Sequence, residues 1–172
     1  MKLYLLRHGI AEERRPGRSD AQRRLTPRGR RRMQRIARTM GVAGVRVDAI
    51  YTSPLPRAAQ TAAIVAAALD APAPVERPAL APGGSVAALL REIALQRHRP
   101  GTAVLLVGHE PDLSRLASRL VSGAPGSALR LRKGGFCRLE VPDDRLRYGR
   151  CATLEWLVAP RLLLREGGSK PE

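Results

Sequence analysis

The sequence predicts one α/β domain over residues 1–166: a mostly parallel central sheet, helices on both faces, and a C-terminal antiparallel strand pair. Three observations carry this expectation. Short apolar runs at Lys2–Leu6, Val47–Tyr51 and Ala103–Val107 alternate with stretches of helical periodicity. The run Ala103–Val107 has no polar interruption, as a parallel strand buried on both faces requires. Near the end, Phe136–Val141 and Thr153–Val158 alternate as half-buried antiparallel strands do.

In chain order, the strand Lys2–Leu6 leads into Arg7-His8-Gly9. Residues 10–24 are polar and arginine-rich, which predicts a loop. Thr26 then fits an N-cap with Pro27 at the first helical position. In the next helix, Met33, Ile36, Ala37 and Met40 recur at spacings of three and four, and Gly41 is the expected stop. After the strand Val47–Tyr51, Ser53-Pro54 is read as the cap and first turn of an alanine-rich helix reaching Leu69, with Pro72 beyond it. Ala73–Arg77 is a short strand and Pro78–Gly84 a loop. Ser85 caps a helix carrying Leu89, Leu90 and Ile93, at whose end His98 is expected to offset the helix dipole. Pro111 opens a helix with Leu113, Leu116, Ala117 and Leu120 inward. Pro142-Asp143-Asp144 should turn between the last two strands, and Gly167–Glu172 reads as a disordered tail.

Apolar residues make up 44% of the 172, enough for a core, while aromatics are only 3%, so Leu, Val, Ala and Ile must fill it. The longest apolar run, Ala62–Leu69, is far too short to cross a bilayer, and the N-terminus does not read as a secretory signal. A cytoplasmic protein without membrane attachment is therefore expected. Cys137 and Cys151 are too few for a disulfide scaffold or a zinc site and are read as reduced, small apolar side chains. The net charge of +16 rests almost wholly on arginine and should attract anions. Between Arg14 and Arg38 lie eleven arginines and a single acid, Asp20. No aromatic residue interrupts that run, which disfavours a stacking nucleic-acid surface and favours a solvated face that steers acidic or phosphorylated partners.

Ligands of open α/β sheets bind beyond the carboxyl ends of the strands. The residues just past each parallel strand are therefore informative: Arg7-His8-Gly9, then Thr52-Ser53-Pro54-Leu55-Pro56-Arg57, then Gly108-His109-Glu110-Pro111. Two arginines and two histidines thus meet at one sheet edge beside two helix N-termini, which together suit a phosphoryl group. A neutral imidazole can attack phosphorus to give a phosphohistidine intermediate, while the arginines and a second imidazole stabilise the oxygens. His8 follows its strand directly between Arg7 and the small Gly9, which favours it as nucleophile. On the residues alone, the roles of His8 and His109 are nearly exchangeable.

Leu6-Arg7-His8-Gly9 resembles the R-H-G signature of the histidine phosphatase (phosphoglycerate mutase-like) superfamily. The segment Ser53–Ala62 is similar to its S-P-x-x-R-A-x-Q-T-A, Leu25–Gly29 to its L-T-x-x-G, and Gly108-His109 to its second G-H. The short length and the Gly108-His109-Glu110-Pro111-Asp112 form most resemble the SixA-type phosphohistidine phosphatases. The resemblance implies His8 as nucleophile, with Arg7, Arg57 and His109 binding the phosphoryl group; Gly9 beside them is a further phosphate-binding candidate, and neither metal nor cofactor is expected. Its implied partner is a phosphorylated protein such as a histidine-containing phosphotransfer domain.

Larger members of that superfamily carry an acid that protonates an alcohol leaving group. Here Ala79 stands where a glutamate would be expected, leaving Glu76 and Glu110 as the candidate acids or auxiliary residues. A weak acid disfavours alkyl phosphate esters and is tolerable for the labile P–N bond of phosphohistidine. A phosphatase of small phosphate esters on the same site, and a non-catalytic basic module for polyanions or nucleic acid, stand as the alternatives. Ser53, Gln60 and Thr61 are read as cap and packing residues, and Trp156 as part of the core.

Overall fold

The computed structural model describes residues 1–17, 19–95, 101–126, 129–142 and 146–164. His98, the turn at Asp143-Asp144 and the tail from Gly167 lie outside them. Alternating strand and helix patterns produce β1 (Lys2–Arg7), α1 (Pro27–Val42), β2 (Ala49–Thr52), α2 (Pro56–Leu69), β3 (Val75–Glu76), α3 (Val86–Leu95), β4 (Ala103–Gly108) and α4 (Asp112–Ser122). The chain then closes with β5 (Phe136–Glu140), β6 (Thr153–Val158) and a short α5 (Pro160–Leu163).

The six strands form one sheet in the order β3-β2-β4-β1-β5-β6. β3, β2, β4 and β1 run parallel, whereas β5 is antiparallel to both β1 and β6. Side-chain alternation divides the core in two. Leu3 and Leu5 of β1 with Val104 and Leu106 of β4 face α3 and α4, where Leu89, Leu90, Ile93, Leu113, Leu116 and Leu120 are buried. Tyr4, Leu6, Leu105 and Val107 face α1 and α2, against Met33, Ile36, Met40, Ala62, Val65 and Leu69. All six residues of β4 are buried, as the uninterrupted apolar run requires. Each fully buried leucine or isoleucine contributes about 1.5–3 kcal/mol. Trp156 packs edge-on against Phe136 with ring centroids 4.9 Å apart, so it belongs to the core. Cys137 and Cys151 are both free thiols.

A side-chain cap marks the start of α1, and several boundaries differ from expectation. Thr26 caps α1, its Oγ1 accepting from the Gly29 amide at 2.9 Å with Pro27 at the first turn. Gly41 does not end α1, which continues to Val42. α2 starts at Pro56 after Leu55, not at Ser53-Pro54; the Ser53 hydroxyl is engaged elsewhere. α2 ends where Asp70 adopts φ +50°, a left-handed cap.

Candidate active site

The β1–β4 register pairs Arg7 with Gly108, so the next residues, His8 and His109, leave the sheet side by side. Their ring centroids lie 5.1 Å apart at 55°. β2 flanks β4 on its other side, and the Ser53 amide donates to the Val107 carbonyl at 2.9 Å. That pairing brings Arg57, in the first turn of α2, to the same edge. His8, Arg57 and His109 are all buried, at 5%, 2% and 3% exposure. Four of the residues singled out from sequence therefore do converge: Arg7, His8, Arg57 and His109.

The two imidazoles are held differently. His8 Nδ1 lies 2.7 Å from the Gly9 carbonyl oxygen. A carbonyl only accepts, so Nδ1 carries the proton and donates it, leaving the Nε2 lone pair unprotonated. His109 Nε2 lies 2.8 Å from Ser53 Oγ, which also accepts from the Leu55 amide at 3.2 Å. With the serine hydroxyl donating to Nε2, the His109 proton sits on Nδ1. Nδ1 is buried and has no partner among the described residues, so it is a donor available to an incoming oxyanion. Burial first, then neighbouring positive charge, pushes His8 down to about 3 and His109 to about 4. Near neutral pH both rings are uncharged. His109 offers its Nδ1–H without needing the protonation that a charged second imidazole would require.

The cations are arranged around this pair. Arg7 Nη1 donates to the Leu131 carbonyl at 2.9 Å, and its Nε is buried without a partner among the described residues. Arg57 donates from Nη1 to the Asp20 carbonyl and from Nη2 to Asp20 Oδ2, at 2.8 and 2.9 Å. Its Nε is likewise buried and unpartnered among those residues. Two further cations join them. Arg23 bonds Asp20, and Lys133 follows Leu131 in the turn whose Gly134 amide donates to the Arg7 and His8 carbonyls. Burial, then the charges of Arg7, Arg23 and Arg57, lower the Lys133 pKa, so its ammonium shares their field.

Ser53–Ala62 ties the site together. Besides Ser53 on His109, Gln60 Oε1 accepts from the Leu25 amide at 2.9 Å, and Thr61 Oγ1 accepts from the Gly9 amide at 3.0 Å. One helix start thus fixes the segments that carry both histidines and the entry to α1. Ser53, Gln60 and Thr61 are more than cap and packing residues. The reading of Gly9 as a phosphate-binding residue also changes: its amide is given to Thr61 and its carbonyl to His8, so it is a support for the imidazole. A Cβ here would lie 2.6 Å from Met33 Cγ, so any larger residue would displace the buried Met33 side chain.

The two candidate acids are not equivalent. Glu76 is exposed on the edge strand β3, level with Thr52 and separated from β1 by β2 and β4. Glu110 follows His109, accepts from the Ser114 hydroxyl through Oε2, and keeps Oε1 buried without a partner among the described residues. Burial lowers the Arg7 pKa, and the Glu110 carboxylate works against that shift. Sequence reasoning did not single out Arg23 or Lys133, which sit among many like-charged neighbours. Ser53 and Thr61 were signalled by their places in the ten-residue segment. Among the described residues no group of three or more His, Cys, Asp or Glu side chains is arranged to hold a metal, and no helix is long and apolar enough to cross a membrane.

Known proteins share the sequence pattern and the fold. The model of the histidine phosphatase superfamily (branch 1) matches residues 3–81. An uncharacterized protein of Picosynechococcus sp. (strain PCC 7002) is 38% identical over 164 residues, covering 95% of this chain and 99% of that protein. Among solved structures, the protein histidine phosphatase SixA complexed with tungstate superposes with a TM-score of 0.81 at 24% identity, over 95% of this chain and 99% of that one. A SixA-assigned protein of Agrobacterium tumefaciens gives 0.74 at 26% identity, over 92% and 97%. The fold is shared as well by a phosphoserine phosphatase of Entamoeba histolytica, at 0.69 and 18% identity over 95% and 99%.

Proposed function

Because this chain belongs to the histidine phosphatase superfamily, and so to the phosphatases, we propose that it removes phosphoryl groups from phosphohistidine on a protein, by way of a covalent intermediate on His8. The observation that carries the reading is the asymmetry of the imidazoles: His8 has its proton fixed on Nδ1 by the Gly9 carbonyl, so Nε2 is the free nucleophile. Nε2 attacks phosphorus and forms the new P–N bond. The substrate's own P–N bond breaks, and its electron pair leaves on the departing imidazole, which is neutral because its other ring nitrogen carries a proton. Arg7, Arg57 and the Nδ1–H of His109 stabilise the oxygens of the transferring group. Water then attacks the phosphorylated His8. The ring departs neutral, with its proton still on Nδ1, and the water's proton passes to the phosphate or to solvent.

The leaving group is argued from the acids. Asp20 is ionised, its carboxyl held at about 2, because hydrogen bonds from Arg14 and Arg23 and the charge of Arg57 outweigh its burial. Glu76 is on the sheet edge, and Glu110 is engaged by Ser114. An imidazole leaves from phosphorus without help from an enzyme acid, whereas an alkoxide does not. The likeness to SixA supports the same substrate class, and the positive surface suits an acidic protein partner such as a histidine-containing phosphotransfer domain. The proposed chemistry uses no metal. The unpartnered Oε1 of Glu110 favours a second reading, hydrolysis of small phosphate esters at the same site.

The test is to trap the intermediate with a phosphohistidine peptide carrying labelled phosphate, quenched in alkali, beside His8→Ala. Acid-labile label on the wild type and none on the variant, with phosphate released, is the expected result. Turnover of small esters but not of the peptide would select the second reading. Neither label nor release from either substrate, with salt-sensitive polyanion binding that survives His8→Ala, would replace catalysis by a binding role.

A further inference from the structure

Asp20 is the single acid in the arginine run, and it binds two members of that run together with Arg57 of α2. Oδ2 accepts from Arg57 Nη2 at 2.9 Å, and the Asp20 backbone carbonyl accepts from Arg57 Nη1 at 2.8 Å. Oδ1 accepts from Arg14 Nε and from Arg23 Nε, both at 2.9 Å, with Arg23 Nη2 at 2.7 Å. Arg23 is itself anchored, its Nη1 donating to the Glu12 carbonyl at 2.7 Å. Thus both terminal nitrogens of Arg57 are engaged by one residue from 37 positions away, and the buried Nε is the nitrogen left without a partner among the described residues. Asp20 lies at the rim, with its side chain 36% exposed against 3% for Arg57.

We infer that Asp20 is a positioning residue for the phosphoryl site, holding the Arg57 guanidinium by its terminal nitrogens so that the Nε edge faces the incoming group, and drawing Arg23 in beside it. A guanidinium presents two useful edges to an oxyanion: the pair of terminal nitrogens, and Nε with its neighbour. With the first edge engaged by Asp20, the second is presented. Without the carboxylate, Arg14, Arg23 and Arg57 would repel one another and disperse. The inference rests on the reading of Arg57 as a phosphoryl ligand and adds how that ligand is aimed.

Electrostatics alone makes the opposite prediction. Deleting a negative charge at the mouth raises its positive potential, so an anion should bind more tightly. A loss of binding is therefore the signature of geometry. The experiment measures tungstate affinity by calorimetry, and kcat and KM for the phosphohistidine peptide, in Asp20→Ala and Asp20→Asn. Both variants are repeated in an Arg57→Lys background, and thermal unfolding is followed throughout. Asp20→Ala is expected to weaken tungstate binding and kcat/KM roughly 10- to 100-fold, as loss of a charge-assisted hydrogen bond implies. Asp20→Asn, which keeps an acceptor, should lose less. In the Arg57→Lys background the loss should largely vanish, because the two residues act as a unit. Wild-type affinity, tighter binding in Asp20→Ala, or an equal loss in both backgrounds would overturn the inference. The second of these would mark Asp20 as a competitor for Arg57, the third as a loop-packing residue. Failure of the wild type itself to bind tungstate or release phosphate would instead retire the phosphatase reading and this inference with it.

Discussion

Replacing Ser53 by alanine tests how the second imidazole is set. Ser53 is fully buried, so water cannot take over its bonds. The substitution removes the hydroxyl 2.8 Å from His109 Nε2 and the acceptor 3.2 Å from the Leu55 amide. A buried nitrogen left without its partner costs about 1–3 kcal/mol. If the tautomer relaxes to Nε2–H, the Nδ1 lone pair then opposes a phosphoryl oxygen where a donor should meet it. Expressed in the transition state, about 1–3 kcal/mol lowers kcat/KM roughly 5- to 150-fold. The same loss in the folded state lowers Tm by about 2–10 °C for a chain of this size. Steady-state phosphate release gives the first quantity and calorimetric unfolding the second, while imidazole nitrogen shifts report the tautomer. Wild-type kcat/KM in Ser53→Ala, with the His109 proton unmoved, would refute the claim that Ser53 sets that ring.

Two further outcomes rest on the same geometry. The folded state keeps His8 and His109 neutral down to about 3 and about 4, whereas the unfolded chain takes up these protons near the ordinary value of 6.5. Stability from this source is therefore complete above about pH 6.5 and falls as pH drops towards 4, by on the order of 1–2 kcal/mol per histidine at about pH 5. Urea unfolding across that window should show a shallower fall in His8→Ala, and identical slopes would contradict the assignment. Gly29→Ala would place a Cβ 2.0 Å from the Ile10 carbonyl oxygen, which is already fixed by the Thr26 amide at 3.0 Å. The backbone must move, at a cost of about 1–3 kcal/mol or more. An unchanged melting temperature would show that the loop is not seated on the start of α1 as described.

Much of this molecule is legible along the chain because local rules act locally. Apolar spacing places β1, α1, α2, β4 and α4, and the Thr26-Pro27 cap marks the start of α1. The strand-end rule brings Arg7, His8, Arg57 and His109 to one edge without knowledge of any contact. Local reading fails where a residue has a distant partner. Ser53 has the local signature of a helix cap, but its hydroxyl goes to His109, 56 residues away, and α2 begins at Pro56 instead. Gly9 has the place of a phosphate ligand, but its amide goes to Thr61. Asp20 stands as one acid among arginines, with nothing nearby in the chain to show that it holds Arg57.

The sequence by itself determined most of the elements, though not α5, together with most of the core residues and the chemical character of the site. Burial periodicity, cap chemistry and backbone preference are all properties of neighbouring residues. Only the tertiary structure decided which imidazole has a free Nε2, which donors are already engaged, and which edge of Arg57 is left over. Those outcomes depend on β4 lying between β1 and β2 and on Asp20 reaching Arg57 in the first turn of α2. A hydrogen bond is fixed by angstrom-scale distance and direction between groups far apart in the chain, and periodicity carries no information about either.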